Sequence, residues 1–164
     1  MRKTVHAMVL GLGLALSLSA CHKKQEAATQ QTAAVQRPSN PNDAKAWQNY
    51  LVYVVQNNMQ GVNTNSPYMY YVPPGSDPQA AAERGRQLQQ VQDVVARTVL
   101  PGNMLAFGGP DSALTAKLIE DAFKGAQAGS FKGVTVLFIG DKADEAAVQQ
   151  AVAPSSATFK FVQM

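Results

Sequence analysis

The chain has a single cysteine and two histidines among its 164 residues, and all three fall within the first 22 positions. From Lys23 to Met164 there is neither an imidazole nor a thiol. Ser-His-Asp and Cys-His hydrolysis both need an imidazole. Structural zinc sites need cysteine or histidine ligands, and thiol redox chemistry needs a cysteine within the fold. All three are excluded for the body of the protein, as is an intrachain disulfide. Gly-x-Gly-x-x-Gly and P-loop lysine patterns are missing, which argues against a nucleotide site. No cofactor and no metal is expected.

A surplus of charge is also missing, although the total of +3 suggests one. Arg2, Lys3, Lys23, Lys24 and Arg37 all lie in the first 37 residues. From Asp43 onward nine Lys/Arg stand against ten Asp/Glu, a net of −1. The basic footprint of a nucleic-acid binder is therefore absent, and no nucleic-acid partner is expected.

The amino terminus carries a different signal. Met1-Arg2-Lys3 is short and positive, and an apolar stretch runs from Val5 to Leu18. It is shorter than the ~18 residues that cross a bilayer and ends on small side chains, as a secretory signal peptide does. Leu18-Ser19-Ala20-Cys21 resembles the lipobox of bacterial lipoproteins. The resemblance covers only this export segment. It implies cleavage before Cys21, acylation of that cysteine, and attachment to a membrane through the lipid. Several acyl chains hold a protein on a membrane where one is marginal, each buried CH2 contributing about 0.8 kcal/mol. Lipidation also explains a lone cysteine in an exported chain. In this class the residue after the cysteine influences sorting. His22 is not the aspartate associated with inner-membrane retention, which points to the outer membrane, facing the periplasm.

Three segments follow: a signal peptide at 1–20, a lipidated cysteine and flexible tether at 21–42, and a single domain at 43–164. Residues 22–42 are rich in Gln, Ala and Thr, nearly devoid of large apolar side chains, and close with Pro38 and Pro41, so they lack the apolar surface needed to fold. As a flexible coil such a tether spans on the order of 25 Å. Lys23 and Lys24 lie where anionic headgroups would be, or serve as solvated tether charge.

In the domain, Asn42 or Asp43 can cap a helix and Gly61 can end it. Trp47, Tyr50, Leu51, Val54 and Val55 recur between them at helical spacing, although Leu51–Val55 also fits a strand. Tyr68–Val72 has strand propensity. Asp77-Pro78 opens a helix with an apolar face of Leu88, Val91, Val94, Val95, Thr98 and Val99. A short strand at 103–107 is followed by a helix bearing Leu114, Leu118, Ile119, Ala122 and Phe123. The apolar run 134–139 predicts a strand buried on both faces. An alanine-rich helix follows, and 158–162 alternates as an edge strand with Phe159 and Phe161 on one face. Strands alternating with helices predict an α/β fold: a small, mostly parallel four-stranded sheet, with 134–139 central, helices on its faces and the leading helix packed on one of them.

Two candidate sites follow. Three predicted strands end in glycine followed by aspartate: Gly75 with Asp77, Gly109 with Asp111, and Gly140 with Asp141. Ligands of open parallel sheets bind beyond the carboxyl ends of the strands. Gly108, Gly109, Asp111, Ser112, Gly140 and Asp141 therefore form a candidate ligand edge, for a divalent cation on the carboxylates or an anion on the amides of Gly108, Gly109 and Ser112. The alternative is structural: aspartate caps each helix and glycine makes the turn. The second candidate is aromatic. Trp47, Tyr50, Tyr53, Tyr68, Tyr70 and Tyr71 are all of the Trp and Tyr in the chain and fall within 25 residues. Such side chains are enriched at protein interfaces, so they form a candidate partner surface, some of it shared with the core. The leading expectation is a non-enzymatic envelope lipoprotein that binds another protein, as an accessory of a secretion or envelope-assembly machine or as an immunity or inhibitor protein. The rival is a small-ligand or metal-assisted enzyme using Asp77, Asp111 and Asp141.

Overall fold

The computed structural model of the protein describes residues 35–97 and 99–164. Residues 1–34, which hold the segments read from the sequence as signal peptide, lipidated Cys21 and most of the tether, lie outside the described residues, as does Thr98.

Helix α1, Ala44–Gln56, begins where Asp43 accepts the Ala46 N–H on its carboxylate (3.0 Å). It stops before Gly61. The side-chain amides of Asn57 and Asn58 donate to the carbonyls of Tyr53 and Val54, each at 2.8 Å, competing with helix propagation. Strand β1, Tyr68–Tyr71, and helix α2, Pro78–Val95, follow. Then come β2, Met104–Gly108, α3, Ser112–Phe123, β3, Thr135–Gly140, and α4, Lys142–Val152. A 3-10 turn, Ala153–Ser155, leads into β4, Thr158–Gln163.

The four strands are all parallel and lie in chain order, β1-β2-β3-β4. β2 and β3 are central and buried along their whole length. With the order never reversing, right-handed crossovers place every connecting helix on the same side. Val91, Ile119, Val148 and Val152 from α2, α3 and α4 accordingly pack with Leu105, Phe107, Val136 and Phe138. The other face of the sheet, Met104, Ala106, Leu137 and Ile139, is covered by α1 through Trp47, Tyr50, Leu51, Val54 and Val55. α1 lies ahead of β1, is part of no crossover, and so is free to take that side. On β4 the alternation holds: Phe159 and Phe161 join the three-helix face, and Val162 joins the α1 face. Lys160, also on β4, donates its ammonium to the carbonyls of Asn58 (3.1 Å) and Gln60 (2.7 Å), just past the end of α1.

The domain begins earlier than Asp43. The buried Trp47 indole needs an acceptor for its N–H, and the Asn40 carbonyl supplies it at 3.0 Å. Arg37 lies 5.6 Å from the centre of the same ring. The end of the segment read as tether is therefore fastened to the domain from about Arg37 onward. No helix among the described residues is long and apolar enough to cross a membrane.

Candidate functional site

The expected ligand edge forms in part. Asp111, Ser112 and Asp141 line one open depression of about 370 Å³ with Pro41, Pro74 and Asp144. Asp77 is not part of it. Its carboxylate accepts the N–H groups of Gln79 (3.1 Å) and Ala80 (2.9 Å) at the start of α2. Asp111 accepts the Leu114 N–H at 3.0 Å, so at the start of α3 its own carboxylate occupies the role an anion would take. Two of the three aspartates are thus helix caps.

Asp141 differs. It stands at the cap position of α4 but makes no side-chain capping bond, and its carboxylate turns out toward Arg37 at 3.9 Å. Ser112 substitutes for it from the neighbouring helix. The Ser112 hydroxyl accepts the Asp141 N–H (2.7 Å) and donates to the Asp144 carboxylate (2.5 Å). Ser112 is buried, and these two bonds lock the starts of α3 and α4 together. Removing the hydroxyl strands a backbone N–H and a carboxylate oxygen. Ser112→Ala is therefore expected to lower stability by about 1–2 kcal/mol, read as a fall in the urea midpoint at constant slope.

The glycines are explained by close packing within the chain. A Cβ on Gly108 would lie 2.5 Å from Leu51 Cδ2, and one on Gly109 would lie 2.2 Å from the Val72 carbonyl oxygen. At Gly140 it would meet the Phe138 ring at 2.2 Å and the Ser112 hydroxyl at 2.7 Å. The strand order also gives this edge no topological switch point. Crevices at the carboxyl end of a parallel sheet open where the order reverses and flanking helices diverge to opposite faces. Here no reversal occurs. Among the described residues no group of three or more His, Cys, Asp or Glu side chains is placed to hold a metal ion. In particular, Asp77, Asp111 and Asp141 do not converge.

Two residues of this region escaped the sequence reading. Asp144 lies three residues after Asp141, the spacing of a capping box, which was a usable signal. Arg37 fell in the segment assigned to the tether.

No protein-family model, curated protein or solved structure matches the chain.

The aromatic cluster is split between the two faces of the sheet. Trp47 and Tyr50 are 2% and 7% exposed and meet edge to face, with centroids 5.8 Å apart, in the core under α1. They are not part of an open surface, because the leading helix turns this side of itself to the sheet. Tyr53 and Tyr71 are half-buried against the same core. Tyr70 lies on the opposite face, stacked on Phe107 at 4.9 Å. Of the six rings only Tyr68 is exposed, at 47%.

Burial is the main cause of the shifted phenols. It raises Tyr50 against the opposing pull of Arg37, and raises Tyr71 with help from Glu83 and Asp43. Tyr70 is pushed up to about 12, chiefly by burial and secondarily by Tyr68. A phenol whose folded value lies above its unfolded value of 10.0 favours the fold while neutral. That contribution is complete below pH 10 and is lost as pH rises toward 12. The urea midpoint should fall across that window, and Tyr70→Phe should flatten the fall.

Proposed function

We propose that this chain is an envelope lipoprotein, anchored through Cys21, whose domain works without catalysis by binding another protein. The observation that carries the reading is the sole cysteine of the chain, placed directly behind Leu18-Ser19-Ala20 and an apolar export segment. From Lys23 onward the chain supplies neither imidazole nor thiol. Of Asp77, Asp111 and Asp141, the carboxylates on which the enzymatic alternative depends, the first two are engaged as helix caps and the third does not converge with them. A short tether keeps the domain within reach of its membrane, where it serves as an accessory of a secretion or envelope-assembly machine or as an immunity protein. The outer membrane is the assigned location.

The anchor is tested by growing cells on an alkyne-bearing palmitate and coupling a fluorophore to the extracted protein. The wild-type chain should carry label. Cys21→Ser should lose it and accumulate at the longer, uncut length. An unlabelled wild-type chain overturns the assignment. Density fractionation of the labelled membranes then reports whether the outer membrane holds it.

A further inference from the structure

The segment ahead of α1 is held against the carboxyl end of the sheet. The Trp47 indole N–H donates to the Asn40 carbonyl at 3.0 Å. Pro41 stands with Pro74, Pro110 and Asp141 on the wall of the depression there. Arg37 lies 5.6 Å from the centre of the Trp47 ring, and its guanidinium comes within 3.9 Å of the Asp141 carboxylate. Burial raises the Tyr50 phenol, and the Arg37 charge pulls it back down.

Asp141 is available to receive Arg37. Asp77 and Asp111 cap their own helices. Asp141 makes no capping bond, and Ser112 accepts its N–H instead. Arg37 is the only charged residue between Val35 and Asn42. Proline at 38 and 41 lowers the entropy lost when this segment is ordered. The Asn42 N–H closes a turn on the side-chain oxygen of Asn40 at 3.0 Å. The hold is light at its outer end. The Arg37 and Asp141 side chains are 43% and 53% exposed, and salt screens a pair so placed. The α1 layer beneath packs on the sheet through its own apolar face.

We propose that residues 37–42 form a releasable strap, clasped by Arg37 on Trp47 and Asp141, that sets the reach of the domain from its membrane. Clasped, the chain joins the domain at the carboxyl end of the sheet. Released, it joins at Asp43, and the six freed residues add at most about 20 Å of reach. This inference rests on the anchor proposed above and specifies what adjusts it.

The test uses the full chain extracted from the cells that make it. Trp47 is the only tryptophan, so one indole N–H resonance reports the strap. Its exchange with water, followed by NMR, measures local opening. Asp141→Asn should speed that exchange about two- to fivefold, the range of an exposed ion pair. Arg37→Ala also takes the cation from the ring and should speed it about tenfold. The double variant should match Arg37→Ala alone, because Asp141 acts through Arg37. The urea midpoint should hold in all three. In vesicles containing a dansyl phospholipid, energy transfer from Trp47 should be lower for Arg37→Ala than for the wild-type chain. The strap is overturned by exchange that is unchanged in both single variants, by additive effects, or by exchange that rises only as the urea midpoint falls. Faster exchange with equal energy transfer overturns its control of reach. A wild-type chain that does not join the vesicles overturns the anchor and that control together, while the exchange measurements still decide the clasp.

Discussion

Trp47→Ala should cost about 3–5 kcal/mol of stability, the range for removing a fully buried large aromatic. The loss has three sources here. The ring fills the centre of the α1 layer and meets Tyr50 edge to face. Its indole N–H donates to the Asn40 carbonyl at 3.0 Å, beside the longer bond that carbonyl accepts from the Asp43 N–H at 3.3 Å. Its face carries the Arg37 guanidinium, so the segment preceding α1 loses its purchase at the same time. A domain of this size has a total stability of about 5–15 kcal/mol, so the urea midpoint should fall by a large fraction. Tyr68→Ala, in contrast, should change stability by less than about 0.5 kcal/mol, as exposed substitutions do. The pair separates the two roles that the aromatic cluster was given together. An unchanged midpoint in Trp47→Ala would show that α1 does not use this ring to cover the sheet.

The elements were legible because each obeys a local rule. Asp77-Pro78 opened α2 as composed. The continuous apolar run at 134–139 became a strand buried on both faces, and the alternation around Lys160 divided β4 correctly between two cores. The order of the strands was not legible, because hydrophobic periodicity records which face is buried and not which neighbour a strand takes. That order makes β1 an edge, gives the carboxyl end no switch point, and leaves one whole face to α1. The split of the aromatic cluster follows from the same cause. Tyr68 and Tyr70 share a face, as alternation requires, but only the stack of Tyr70 on Phe107 buries one and exposes the other. Ser112 entered the candidate ligand edge through its backbone amide, and the role of its hydroxyl was not legible because its partners lie 29 and 32 residues away, a pairing no local pattern contains.

Gly109→Ala should be as damaging as a core deletion, at about 3 kcal/mol, although it adds a single methyl group. The new carbon would sit 2.2 Å from the Val72 carbonyl oxygen and 3.1 Å from its carbonyl carbon. Both are backbone atoms, and the Val72 N–H is bonded to Gly108 at the same crossing. Relief therefore requires β1 and β2 to part at their carboxyl ends, which also disturbs the turn that Asp111 caps. A ligand site would predict a different outcome: normal stability and a lost activity or affinity. Gly85 provides the internal control. It lies inside α2 with nothing within 4 Å of where a Cβ would be, so Gly85→Ala should stabilise the protein by about 0.5–1 kcal/mol through helix propensity and reduced unfolded-chain entropy. Opposite shifts in the urea midpoint from the same chemical change, one at the sheet edge and one in an open helix, would assign the close geometry of Gly108-Gly109 to strand packing. Equal shifts would return that turn to the list of binding candidates.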